Sequence, residues 1–238
     1  MAVLIWPENW YRFASSSFTL RSVNFAAAHT WTGGRSVNGP FAQLWMADFV
    51  MASQAWDDRG QEIAAFFSRL AGQAGKFRIA DPLRRRPLRD RTLTPSSEMF
   101  SDATQFADGT GFVSGYLPDF VTLDLAAVKS ATSIVLRGLP ASEPAVLRRG
   151  DLVELRPNGV PSETPNLYEV QFNAPTDASG KTRVALAPSL RQGFAAGDMV
   201  VLRNPTSVFR VKDDEQGRAE RDVASIAAIG FSVIEAII

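Results

Sequence analysis

The sequence predicts a mainly β protein in which a small β-barrel or sandwich domain is inserted into a second, discontinuous β-domain. Three observations lead there. Short alternating apolar runs separated by turn residues fill the second half, only one segment has a clear helical period, and both ends of the chain are apolar. At 238 residues the chain has room for one large or two small domains.

The opening run Met1-Ala-Val-Leu-Ile-Trp-Pro7 is apolar and short, with no basic lead and no Ala-x-Ala site, so it reads as an edge strand rather than a signal peptide. From Ser16 to Asn24, Phe18, Leu20 and Val23 fit a half-buried strand with Arg21 and Ser22 turned outward. Gly33-Gly34 and Asn38-Gly39-Pro40 read as turns. Phe41 to Met51 reads as a strand, although its Ala, Leu and Met also permit a helix.

The clearest single element is a helix over Gln61–Gly72. Ile63, Phe66, Phe67 and Leu70 fall at i, i+3, i+4 and i+7, which is one apolar helical face. Asp57 and Asp58 precede it as capping acids, and Gly72 and Gly75 offer a left-handed stop. Lys76–Ala80 then reads as a strand that ends at Asp81-Pro82, because proline has no amide for a ladder.

The largest composition shift follows. Leu83-Arg-Arg-Arg-Pro-Leu-Arg-Asp-Arg-Thr92 runs into a Ser/Thr/Pro/Asp/Gly-rich stretch reaching Gly115, and a domain boundary is expected inside it. Beyond it, strands are expected at Phe120–Leu125, Ser133–Leu139, Leu152–Leu155, Leu167–Asn173, Thr182–Ala187 and Met199–Leu202. The phrase Gly150-Asp-Leu-Val-Glu-Leu-Arg156 recurs as Gly197-Asp-Met-Val-Val-Leu-Arg203, and both copies read as core strands of one barrel. Ser207–Val211 is a further strand, and the apolar run Ile226–Ile238 reads as a long one. Such an end must pair, and the N-terminal sheet is its natural partner. The expected division is therefore 1–114 with 206–238 as a discontinuous β-sandwich, and 115–205 as the inserted β-barrel-like domain.

Chemistry-bearing residues are sparse. Cysteine is absent, which excludes disulfides, thiolate nucleophiles and cysteine zinc sites. The one histidine, His29, has no Gly-x-Ser-x-Gly elbow to serve. Acidic pairs occur at Asp57-Asp58, at Asp213-Asp214-Glu215, and as Asp119 with Asp124. The first fits a helix start and the second a hairpin tip. A hydrolase working through Asp119 and Asp124 is the weakest of the readings. No phosphate-binding loop is present. The expectation is a non-enzyme with no catalytic residue, cofactor or metal. No run approaches the roughly 20 apolar residues of a membrane span. Twenty-five basic residues balance 25 acidic ones, which argues against a general nucleic-acid binder and permits self-association.

Arg84, Arg85, Arg86, Arg89 and Arg91 form the most suggestive polar cluster. Their planar guanidinium groups suit carboxylate pairing across a partner interface, and two prolines favour an extended arm. The alternative is a solvated linker. Sixteen Phe and five Trp against three Tyr supply aromatic area for cores or interfaces. Sugar-binding aromatics in the insert would come from Tyr116, Phe120, Tyr168, Phe172 and Phe194, most of which are better explained as core.

Ser133-Ile-Val-Leu-Arg-Gly-Leu-Pro140, Leu147-Arg-Arg-Gly-Asp-Leu-Val-Glu-Leu155 and Leu167-Tyr-Glu-Val170 resemble a family of tail proteins of long-tailed bacteriophages. Thr176–Gly180, Pro188–Arg191, Gly197–Leu202, Asn204–Arg210 and Ser225–Glu235 continue the resemblance in the same order. The N-terminal half, with Phe77-Arg-Ile-Ala-Asp-Pro82, looks like the ring-forming domain of distal tail proteins. That resemblance implies a virion protein of the tail tip, a β-sandwich assembled as a homohexameric ring, with the tail tube and tail hub proteins as neighbours. It implies no catalytic motif. It also implies an outward-projecting β-module, for which a host-surface glycan is the alternative partner.

Overall fold

The computed structural model describes residues 2–10, 12–26, 37–52, 54–55, 58–92, 96–98, 112–216, 219–221 and 226–237. Its elements are β1 (Leu4–Ile5), β2 (Phe13–Ala26), β3 (Val37–Met51), β4 (Gln54–Ala55), α1 (Asp58–Leu70), β5 (Phe77–Ala80) and α2 (Leu88–Thr92). There follow β6 (Ser96–Glu98), β7 (Phe112–Ser114), β8 (Phe120–Leu123), β9 (Ser133–Arg137), β10 (Leu152–Arg156), β11 (Leu167–Val170), β12 (Thr182–Ala187) and β13 (Met199–Val201). The chain closes with β14 (Thr206–Val211), β15 (Ala219–Arg221) and β16 (Ile226–Glu235). The mainly β class is as expected, and Phe41–Met51 is strand throughout.

The chain divides into two units. The first holds Met1–Pro82, Glu163–Pro165 and Thr206–Ile238; the second holds Leu83–Ser162 and Asn166–Pro205. The second unit thus ends where the sequence placed its end but begins at Leu83, not at residue 115. The correction has a physical cause: the arginine-rich segment is hydrogen-bonded to the barrel instead of running free.

In the first unit the strand order is β1-β5-β14-β16-β3-β2, with β4 and β15 joining the far end of β16. The apolar C-terminal run finds the partner expected of it. β16 pairs with β14 through Phe209↔Glu235 to Val211↔Val233, and with β3 through Gly230↔Val50 to Ile234↔Met46. Ile229, Phe231 and Val233 alternate inward and are at most 2 % exposed. Opposite them on β3, Trp45, Ala47, Phe49 and Met51 share the buried face, whereas Val50 points outward.

Helix α1 packs on this face through the stripe read from the sequence. Ile63, Phe66 and Leu70 are buried, Phe66 meets Phe77 at 5.7 Å between ring centres, and Phe67 meets Phe231 at 5.2 Å. Edge-to-face contacts of this kind suit the ring quadrupole. The helix stops at Ala71 and Gly72, both left-handed (φ 52° and 67°). Gly75 is extended (φ −77°), which corrects its assignment to the left-handed stop. Its lack of a side chain serves packing instead, since a Cβ there would strike the Leu70 carbonyl. The N-terminal run is an edge strand as expected, β1 lying parallel to β5. Capping by Asp57 and the surroundings of His29 lie outside the described residues.

In the second unit β6 and β7 form a two-stranded hairpin, and six strands close a barrel in the order β10-β11-β12-β9-β8-β13. Exchanging β8, β9 and β10 with β11, β12 and β13 leaves this order of neighbours unchanged, so the barrel is two equivalent three-stranded halves. The recurring Gly-Asp phrases occupy equivalent places, and β10 and β13 pair directly through Glu154↔Val201 and Leu155↔Val200. Two isolated bridges, Ala127↔Phe194 and Leu147↔Ala174, also exchange. The core is mainly aliphatic, with Leu123, Leu136, Val153, Val170, Val184 and Val200 fully buried from the six strands.

Candidate functional site

Each recurring phrase begins in a turn closed by its aspartate. Gly150 and Gly197 take φ values of 88° and 92°, which a side chain would strain. Asp151 accepts the Arg148 amide at 2.7 Å, and Asp198 accepts the Ala195 amide at 2.8 Å, three residues back in both copies. The second oxygen of each reaches a distant amide: Leu88 at 2.7 Å for Asp151, and Asn158 at 2.9 Å for Asp198. Asp151 is 1 % exposed, and burial raises its pKa against the lowering effect of the two amides.

The Leu88 bond is one of several that fasten the arginine-rich segment to the barrel. Arg84 reaches the Gly150 carbonyl at 3.3 Å and Glu169 at 3.1 Å. Arg85 donates to Asn204 at 2.7 Å, and Arg89 to Glu143 at 3.0 Å and the Gly115 carbonyl at 2.8 Å. Arg91 donates to the Leu83 carbonyl at 2.9 Å. Between them, Asp90 takes the Leu117 amide at 3.1 and 3.2 Å, and its burial pushes its pKa up. Neither an extended arm nor a solvated linker describes this segment: it carries the short helix α2 and is tied down at both ends. Four of the five candidate interface arginines already have partners within the unit.

Arg86 is the exception. Its guanidinium carbon stands 5.0 Å over the ring of Tyr116, and it makes no hydrogen bond among the described residues. The two side chains line a cleft of about 160 Å³, together with Pro87, Asp90, Leu117, Pro118 and Leu202. Asp119 and Arg203 also line it, joined by an ion pair at 3.3 Å. Both are largely exposed, at 61 % and 47 % of their side chains, so this bond contributes at most about 1 kcal/mol.

Of the candidate aromatics, Tyr168 and Phe194 are core residues, Tyr168 also receiving the Arg191 amide at 3.1 Å on its hydroxyl. Tyr116, Phe120 and Phe172 are 36 %, 53 % and 71 % exposed, which corrects the expectation that most of the five are core. Phe120 faces outward because Val121 and Leu123 of the same strand alternate inward, and Phe172 lies past the end of β11. Only Tyr116 lines the cleft.

The acidic pairs separate. Asp119 pairs with Arg203 and Asp124 with Lys181 at 3.0 Å. Asp213 holds its own turn through the Glu215 amide, whereas Asp214 accepts the Gln73 amide at 2.8 Å just beyond α1. Among the described residues no group of three or more His, Cys, Asp or Glu is placed to hold a metal, and no helix is long and apolar enough to cross a membrane. The cleft itself was hidden in the sequence, because Arg86, Tyr116 and Arg203 lie far apart in the chain and meet only in the fold. No protein-family model and no curated protein matches the chain.

Proposed function

We propose that the chain is a non-catalytic structural subunit of a bacteriophage tail tip, assembling as a hexameric ring that joins the tail tube to the tail hub. The observation that carries this reading is the β2–β3 arm. β16 covers β3 only from Met46 to Val50, while β2 follows β3 out to Ala26↔Val37. From Val37 to Leu44, β3 therefore has only β2 as a strand neighbour among the described residues, and β2 has an open edge along all 14 residues. A two-stranded ribbon is marginal in water, and an open edge invites another chain. The sheet's other edge, β1, is short and parallel to its neighbour, so its two edges differ. Unlike edges favour head-to-tail contacts, which form a ring where the rotation closes. The ordered resemblance to tail proteins supplies the tail-tip setting and the order of six. Native mass spectrometry and negative-stain electron microscopy test this on the full chain: a closed six-membered ring is expected, and a strict monomer at high micromolar concentration overturns it.

A second reading is favoured by one observation, the exposed Tyr116 ring beside polar groups in the barrel cleft. It makes the second unit a carbohydrate reader for the host surface. A glycan array probed with the full chain tests it, and silence across bacterial polysaccharides leaves the structural role alone.

A further inference from the structure

We infer that the cleft beside Tyr116 takes an acidic sugar, a single hexuronate ring, with its carboxylate held between Arg86 and Arg203. The inference rests on the carbohydrate reading above and narrows it to a charge class and a place.

The cleft's size comes first. At about 160 Å³ it falls below the roughly 300–1,000 Å³ of sites that enclose drug-sized ligands, so one ring-sized group fits. Its walls divide into an aromatic ring, an apolar floor and two guanidinium groups. A pyranose offers the matching surfaces, with C–H groups for Tyr116 and the floor, and oxygens for the rim.

The cation inventory decides the charge. The other four arginines of the segment are bonded to carbonyl, amide or carboxylate oxygens, as described above. Arg86 stands over the Tyr116 ring and acts on Asp90 through charge alone, so its donor fork makes no hydrogen bond among the described residues. Arg203 makes two long contacts, 3.3 and 3.4 Å, from one nitrogen to Asp119, and its remaining donors are uncommitted in those bonds. Two guanidinium groups with spare donors around a ring-sized space suit a carboxylate on the ring.

The two acids at the cleft do not cancel this. Asp90 has both oxygens on the Leu117 amide and is 7 % exposed, so it presents little to a ligand. Asp119 is the real competitor, an exposed carboxylate already on Arg203. It therefore makes a sharp prediction. For an acidic sugar, removing the Asp119 charge frees Arg203 and removes repulsion, so affinity rises. For a neutral sugar, Asp119 would act as a hydroxyl acceptor, and its loss would lower affinity.

The test is titration of the full chain with sodium glucuronate, glucose and benzoate, followed by calorimetry. Glucuronate is expected to bind, with glucose at least about tenfold weaker, the effect of losing one charge-assisted hydrogen-bonding group. Benzoate separates a sugar site from a general carboxylate site and is expected to bind more weakly than glucuronate. Arg86→Gln and Arg203→Gln should each weaken glucuronate about tenfold or more, and Asp119→Asn should strengthen it. Arg203 lies at the exposed rim, so its variant keeps the test open if Arg86→Gln disturbs the fold. Equal binding of glucose and glucuronate overturns the acidic inference and leaves the carbohydrate reading standing. Benzoate binding as tight as glucuronate, or glucuronate binding indifferent to both arginine variants, overturns the site. No binding by either sugar, together with a silent glycan array, overturns both readings.

Discussion

Asp151 and Asp198 do the same work at equivalent points of the two barrel halves: each carboxylate closes its own turn and reaches across to a second backbone amide. The neighbouring strands repeat the match. The Gly150 amide donates to Val170 and the Gly197 amide to Leu123, while the Val170 amide returns to Asp151 and the Leu123 amide to Asp198. Both aspartates accept from two N–H donors and offer nothing back. Asparagine would aim its NH₂ group at one of those donors. Asp151→Asn and Asp198→Asn are therefore expected to be about as damaging as the alanine variants, each costing about 1–3 kcal/mol for every amide left unpaired. Urea unfolding followed by near-ultraviolet circular dichroism measures this, and an asparagine variant of wild-type stability would refute the pairing.

Burial raises the pKa of Asp90, so the folded state holds its proton more tightly than the unfolded chain does. Its ionisation costs stability at neutral pH, and that stability returns as pH falls through the folded pKa toward the unfolded value near 4. The stability of wild type relative to Asp90→Asn should accordingly rise between neutral pH and about pH 4. Unfolding midpoints measured across that range check the sign, and a relative stability that falls on acidification contradicts it.

These carboxylates also explain what the sequence could and could not announce. Short apolar runs bounded by turn residues located every barrel strand, because such runs are a local signal, and in β9 they alternate inward through Ile134 and Leu136. The Gly-Asp repeat was legible for the same reason, since turn and cap lie within four residues. Asp90 is different: its partner is the Leu117 amide across 27 positions, and no local pattern marks such a pair. The arginine-rich segment consequently looked like a linker, although Arg84, Arg85 and Arg89 are matched by distant groups. The long-range pairing of β16 was inferable only because an apolar chain end must be buried somewhere.

Trypsin can report how firmly that segment is held. Arg84 to Arg91 offer five arginines, and the segment is fastened by the Leu88 amide on Asp151 and by the Asp90 carboxylate on the Leu117 amide. Asp151→Ala and Asp90→Ala should both speed cleavage within 84–91, read by mass spectrometry of limited digests. Glu169→Gln should change it little, since the half-exposed Arg84–Glu169 pair contributes about 1 kcal/mol or less. Equal protection in wild type and both alanine variants would show that these bonds do not hold the segment.

In the first unit Glu235 presents the opposite case to the barrel aspartates. It is 4 % exposed at the end of β16, accepting the Trp45 amide at 3.0 Å and the Ser207 hydroxyl at 2.8 Å. One of these donors is a hydroxyl, which can turn and accept instead. Glutamine can therefore take the Trp45 amide on its oxygen and give its NH₂ group to Ser207. Alanine can do neither, leaves two buried donors unpaired and should cost about 2–4 kcal/mol. Glu235→Gln should cost distinctly less than Glu235→Ala, the reverse of the equality expected at Asp151 and Asp198. The readout is clean because Trp6, Trp10 and Trp45 belong to the first unit and the sequence of the second holds no tryptophan. Denaturation followed by tryptophan fluorescence should thus shift strongly for Glu235→Ala and weakly for Glu235→Gln. Equal shifts for the two variants would mean that the charge of Glu235, and not its two hydrogen bonds, holds the C-terminal strand in place.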